Sequence, residues 1–559
     1  MREPICLLGI VAIAGCGQVT KTPDDDADDD GASDTDGAGD DTDDDDGTAP
    51  GYHRLSVDVT GLRGTLVLQN AGGDDLTITE DGPHRFATDV QDGSDFEVTV
   101  MSDPELQNCH VDGATGTISA DVQLAVGCYG NIFMWIDDNP DGNEYNHELW
   151  MSDGTQAGTG RVVNINQDET VGSGPSTMTR YSGLYYLVSN DGGGPALWRT
   201  DGTQANTQEL RTFDTVDLGS GGLVHDDALY FVANGDAAGT ELWRYNGSQF
   251  QRLTNINPTG NTNFGQSFAV LGNRLVFPAT DNISGDNPWS YDLGSGASQL
   301  LIDVIPGAFT GQVSEMITLG NRAVFRADHE TAGLELWSTD GTPAGTDLLK
   351  DINPGGNGAS INFLATDGAV AYLRASDASG AELWKTDGTT AGTVMVRNIA
   401  PGAADSNPGS MVAFAGKFWF VATDADGAEL WSTDGTTEGT QKLEVNPSTS
   451  IGSNPYGLTV AAGRLYFVAD GGDGAGTELW ATDGTAEGTV RVTDVAAGQD
   501  PGVGTIGPHD GRVLYFFDAS YDTTQLWSTD GTADGTRKVA DICQAPACNP
   551  YAQFVRVTE

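Results

Sequence analysis

The sequence predicts an all-β protein: a β-propeller of about nine four-stranded blades, preceded by a small β-sandwich domain and a disordered acidic tether. Three observations predict it. Tryptophans recur at a nearly fixed period through residues 131–559, each period holds four short strand-like runs parted by Gly and Asp turns, and the array starts and stops in mid-repeat. A chain of 559 residues is too long for one ordinary core, so division into several units is expected.

At the N-terminus, Arg2 precedes an apolar run from Ile5 to Ala14 that is too short to span a bilayer. Residues 1–15 therefore read as an export signal. The following Ile13-Ala14-Gly15-Cys16 resembles the lipobox of bacterial lipoproteins, which implies that Cys16 is acylated and that the membrane is a partner through this lipid. By analogy with lipoprotein sorting in enteric bacteria, Gly17 in place of Asp points to the outer membrane or cell surface of a bacterium. A plain secretory signal with an incidental Cys16 is the competing reading.

Residues 16–50 form the tether. From Asp24 to Asp46 there are fourteen Asp and no Lys or Arg, so the segment has nothing apolar to bury and repels itself. A calcium sponge is the alternative, but the carboxylates lack a geometry that desolvates an ion. The whole chain carries 81 acidic against 26 basic side chains, net −55, a field that repels nucleic acid and attracts cations and basic partners.

Residues 51–130 alternate apolar and polar residues in Leu55–Val59, Thr65–Gln69 and Phe96–Met101, as a small β domain should. Gly61-Leu62 and Leu66 to Asn70, followed by two cysteines, resemble a β-sandwich module of exported bacterial lipoproteins. Once Cys6 leaves with the signal and Cys16 takes lipid, Cys109, Cys128, Cys543 and Cys548 remain and fall into two local pairs. A Cys109–Cys128 bridge would stabilise the domain by about 3 kcal/mol. Cys543 and Cys548 would be about 17 Å apart if extended, so a bridge there needs a turn, which Pro546 can supply.

The array is indexed by Trp150, Trp198, Trp243, Trp289, Trp337, Trp384, Trp431, Trp480 and Trp527, with gaps of 45 to 49 residues. Leu precedes the Trp in eight of nine copies, Asp stands three after it in eight, and Gly four after it in eight. Around Trp480, strands are expected at 457–461, 464–469, 478–482 and 489–495, with Asp483-Gly484 as a hairpin turn. Leu479 and Trp480 must face opposite sides of their sheet, so both faces are apolar, as in a blade packed between two others. The array opens at 131–136 on a second strand and closes at 552–557 on a first strand, so the two ends complete one blade and remove free edges. Eight blades with a degenerate copy around Trp289, or two smaller rings, are the alternatives.

Glu148 to Thr155 with Gly158-Thr159, and the segments 335–346, 382–393, 429–440 and 478–489, resemble the ELWxxDGTxxGT repeat of bacterial surface and secreted proteins. The match covers most of the chain and lapses at Trp198, Trp243, Trp289 and Trp527. What it implies about activity is thin.

Chemistry is sparse. Asp137, Asn139, Asp141 and Glu148 have the spacing of a calcium loop, which makes Ca2+ the one candidate cofactor; a solvated hairpin loop is the competing reading, since the flanks are strand-like and Pro140 interrupts. The Glu recurring at 148, 241, 335, 382, 429 and 478 reads as a structural partner near the sheet edge, and the one Trp per blade as packing. The seven His residues show no zinc spacing, and no nucleophile elbow or phosphate loop occurs, so no catalytic residue is assigned. The expectation is a non-enzymatic, lipid-anchored interaction platform for an unidentified protein or glycan. Its alternatives are a calcium-dependent adhesin or glycan binder and a polysaccharide lyase or hydrolase acting in the propeller channel.

Overall fold

A computed structural model describes residues 51–558 except 63, 72, 103–106, 112, 131, 138–146, 167–172, 176–177, 220–221, 259–261, 263, 266, 282, 307–310, 356–357, 448–451, 475, 494–502, 510–511, 519–523, 533, 543–551 and 556. The chain divides into two compact units, one holding the described residues up to 102 with 109–127, the other holding 128 onward with the described part of 103–108. No helix among the described residues is long and apolar enough to cross a membrane.

The smaller unit contains two four-stranded sheets and a two-stranded one. Alternation does the work: in Leu55–Thr60 the buried residues are Leu55, Val57 and Val59, the side chains of one face of the strand. Cys109 and Cys128 form a disulfide.

Among the described residues, the larger unit is a ring of nine sheets. Each carries an antiparallel series here labelled a, b, c and d, continuous in sequence in blades 2 to 9, which span 178–212, 223–252, 269–300, 314–350, 362–397, 409–443, 456–491 and 503–541; blade 7, for example, is Gly409–Phe414, Lys417–Asp424, Gly427–Thr433 and Gln441–Leu443. Blade 1 takes strands b, c and d from Ile132–Asp137, His147–Ser152 and Gly160–Val163, and strand a from Ala552–Phe554, which pairs antiparallel with Ile132–Asp137. The termini of the array thus share one blade.

Closure is also visible in the packing. Each hydrophobic cluster is shared by two consecutive blades: Leu336 belongs to the one between blades 5 and 6, while its neighbour Trp337 belongs to the one between 4 and 5. The ninth cluster joins Leu514, Phe516 and Leu526 of blade 9 to Met134 and Ile136 of blade 1. Burying both faces of every sheet is what forces a ring, because an open stack would leave two apolar faces wet. The a strands of successive blades approach one another and therefore lie innermost. The copy around Trp289 is a complete blade, Ala269–Leu271, Arg274–Thr280, Asp286–Asp292 and Ala297–Leu300, so the count is nine, with no degenerate copy.

Candidate functional site

Two repeated devices absorb most of the signature. The first is the Glu of strand c, fully buried at 148, 241, 335, 382, 429 and 478. Its carboxylate faces the linker running to the next blade. Glu335 accepts the N–H groups of Ile352 (2.8 Å) and Asn353 (3.3 Å). Glu382 accepts those of Ile399 (2.7 Å) and Ala400 (3.2 Å) and the Ser406 hydroxyl (2.7 Å). Burial pushes Glu335 up to about 7 against the pull of the N–H donors, and Glu382 and Glu429 are raised for the same reason.

The second device is the DGTxxGT turn between strands c and d. Asp387 Oδ1 accepts both the N–H (2.9 Å) and the hydroxyl (2.6 Å) of Thr389, and Thr386 and Thr393 share a hydroxyl bond of 2.7 Å across the base. The Thr hydroxyl two residues on holds Asp340, Asp387, Asp434, Asp483 and Asp530 below the usual carboxylate range. The turn then docks on a neighbouring blade: Lys350 Nζ donates to Thr393 O (2.6 Å) and lies 6.0 Å from the Trp384 ring, and Arg397 likewise donates to Thr440 O and lies 5.6 Å from that of Trp431.

Trp243, Trp337, Trp431 and Trp480 donate their indole N–H to the carbonyl of an Ala on strand b of their own blade, while their rings pack in the clusters between blades. Trp150, Trp198, Trp289, Trp384 and Trp527 stand at the same strand position. Of the calcium-loop residues, Asn139 and Asp141 lie outside the described residues, as does the Asp137 side chain. Glu148 is buried, with its oxygens accepting from Ile165 N, Ser173 N and Ser173 Oγ. Among the described residues, no group of three or more His, Cys, Asp or Glu is placed to hold a metal. Cys16, Cys543 and Cys548 lie outside the described residues.

The sequence reading missed the Ser that answers the Glu from the linker (Ser173, Ser406, Ser453), although a fixed offset of 24 or 25 residues from the Glu was there to be found. The lapses are informative too. Asn287 in blade 4 replaces the Glu, its Oδ1 accepting Val304 N–H at 2.9 Å. Blade 2 has Ala196, which can hold no linker.

What remains for function is the inner wall. Inner strands are laced to neighbouring ones by side chains: Ser267 Oγ accepts Met316 N–H (3.0 Å), Glu315 accepts Phe363 N–H (2.9 Å), and Tyr456 OH donates to Val503 O (2.8 Å). At blade 2 the arrangement differs. Beyond the blade-1 strand Ala552–Phe554, the chain steps across, Val555 is buried between the two blades, and Val557–Thr558 pairs in parallel with Met178 and Thr179 on the inner edge of blade 2. That sheet has five strands, the fifth an extended segment seated by main-chain hydrogen bonding. The sequence places 552–557 in blade 1 and gives no sign of the step to blade 2.

No family model matches the sequence, and no curated protein matches it. Solved structures share the fold. Prolyl endopeptidases analysed for inter-domain dynamics align at 11% identity over 58% of this chain and 49% of theirs, TM-score 0.35, so the chain spans about half their length. The β-propeller domain of the Trilobed protease from Pyrococcus furiosus, described as having an open velcro topology, aligns at 11% identity over 66% of this chain and 95% of its own, TM-score 0.33. A puromycin hydrolase aligns at 14% identity over 58% and 53%, TM-score 0.31. These findings correct the expectation of a non-enzymatic interaction platform, and with it the adhesin, glycan-binding and polysaccharide-cleaving alternatives. At such identities the likeness is one of fold alone.

Proposed function

We propose that the ring handles extended polypeptide, admitting a peptide segment to the channel bounded by the a strands and seating it on an inner edge. The observation that carries this reading is Val557–Thr558 lying in parallel on Met178–Thr179. Backbone N–H and C=O groups at a sheet edge bond any extended chain, so such recognition is nearly independent of sequence and suits the processing of varied peptides.

The test removes residues 556–559, which leaves the blade-1 strand Ala552–Phe554 in place, and adds residues 555–559 as a labelled peptide. Saturable binding to the truncated protein, absent with the full chain and lost when the peptide's backbone amides are methylated, is the expected result. A truncated protein that keeps its fold by circular dichroism yet binds no peptide overturns the reading. Quenched fluorogenic peptides, incubated with the full chain, decide whether admission is coupled to hydrolysis.

The proposal includes export. Acylated Cys16 would hold the protein on a membrane and residues 17–50 would space it away. Cys16→Ser should move the protein from the membrane pellet to the soluble fraction, and retention in the pellet refutes the anchor.

A further inference from the structure

Ala196 is where the strand-c Glu lapses with no polar substitute, and the molecule is built differently there. In blades 1 and 3 to 8 a carboxylate or amide pins the linker to the next blade, and in blade 9 Gln525 bonds Asp541 of its own strand d. After blade 2 the linker instead turns Phe213 inward, its ring centroid 5.8 Å from Phe231 and 5.6 Å from Trp243. It then forms an additional short strand, Thr215–Asp217, along the far end of the blade-3 strand Ala228–Asn234, before the inner strand Leu223–His225 begins.

That strand forms one wall of a groove of about 370 Å³. Val232 and Thr240 line it from blade 3, and Thr262 and Phe264 from the following linker, where the Thr262 hydroxyl donates to the buried Glu241 at 3.1 Å. Among the described residues of the lining, Asp217 is the one that carries a charge. Its exposed carboxylate is oriented by the Gly219 N–H at 2.6 Å. The other polar side chains among the described lining residues are Thr215, Thr240 and Thr262, and Phe264, whose ring lies 5.4 Å from that of Phe277, adds an aromatic side chain.

We propose that this groove binds an organic monocation, a primary ammonium or guanidinium group on a small or peptide-borne ligand. A single carboxylate answers one positive charge, hydroxyls accept its N–H donors, and an aromatic face attracts it further. A hard divalent ion would need six or more oxygens around it, which one carboxylate and three hydroxyls do not provide. The net charge of −55 disfavours an anion and enriches cations around the molecule. The volume lies in the range of small-ligand sites. The site uses no residue of the inner wall, so it stands or falls apart from the channel reading.

Calorimetric titration of the full chain with N-acetyl-arginine amide at low salt tests it, with N-acetyl-citrulline amide as the uncharged analogue. Saturable one-to-one binding is expected for the arginine derivative alone, weakened about tenfold by Asp217→Asn. Phe264→Leu, which keeps an apolar wall but removes the ring, should also weaken it. Asp347→Asn removes the same charge from an exposed strand elsewhere and should leave it unchanged. Absence of saturable binding, equal binding of the citrulline derivative, or an equal loss in Asp347→Asn overturns the proposal, the last by showing a diffuse field rather than a site.

Discussion

A Cβ on Gly392 would stand 2.0 Å from the Asp387 carboxylate, and the same holds for Gly439 against Asp434. The second Gly of DGTxxGT is thus a packing requirement of the first Asp. Gly392→Ala should destabilise the ring by about 1–3 kcal/mol, whereas Gly409→Ala meets nothing within 4 Å and should leave the melting temperature level or slightly raised. Equal melting temperatures for the two variants would contradict this account. The Glu of strand c makes a prediction in pH. Folding raises Glu335 from 4.5 to about 7, so the folded state holds this proton more tightly than the unfolded chain. Its contribution is fully present below pH 4.5 and is lost as pH rises through about 7. Glu335→Gln should flatten the fall in stability over that window, while Glu335→Ala, which leaves Ile352 N–H without its acceptor, should cost about 1–3 kcal/mol at every pH; chemical denaturation at several pH values reads both. The depressed Asp387 and its counterparts act in the opposite sense, contributing stability that is lost as pH falls through their lowered values.

Within each blade, the period of two was enough to read strand c from the sequence: Leu479 and Trp480 alternate, and they do enter the clusters on opposite sides of blade 8. Strands expected at 464–469 and 478–482 are found at Arg464–Asp470 and Thr477–Thr482. Strand d, expected at 489–495, is only Val490–Arg491 among the described residues; as the outermost strand it pairs on one side, so composition alone sets its length poorly. The linkers were least legible, because their conformation depends on a carboxylate 15 to 25 residues away rather than on local propensity. Hence the lapse at Asn287 is structurally mild, an amide doing the work of the acid, while after Ala196 the linker takes a different course. Blade-to-blade contact runs through basic residues at the end of strand d. Arg397→Leu removes the bond to Thr440 O and the stacking over Trp431, and should lower stability by about 1–2 kcal/mol. In a double-mutant cycle with Trp431→Phe the two effects should fall short of adding, and strict additivity would separate Arg397 from the ring it lies against.

At the scale of the molecule, closure follows from two strands at opposite ends of the array. Ala552–Phe554 completes blade 1, and Phe554 stacks on Phe516 of blade 9 at 4.7 Å, so the last residues bridge the seam between the first blade and the ninth. A linear stack of repeats unfolds as a chain of neighbours, with its ends fraying first. A ring has no ends while the seam holds, since opening any blade exposes apolar faces on both sides of it. Removal of residues 551–559 should therefore do more than lower the melting temperature. It should convert the ring's calorimetric transition from a sharp one, with van't Hoff and calorimetric enthalpies in agreement, to a broad one in which the van't Hoff value falls well below the calorimetric one. Hydrogen exchange should then quicken most in strand b of blade 1 and in strands a and b of blade 9, and least in blades 4 to 6 on the far side of the ring. A truncated protein that still melts in one sharp transition, with exchange altered only at the removed strand's partner, would mean that the blade faces hold the ring together without the seam.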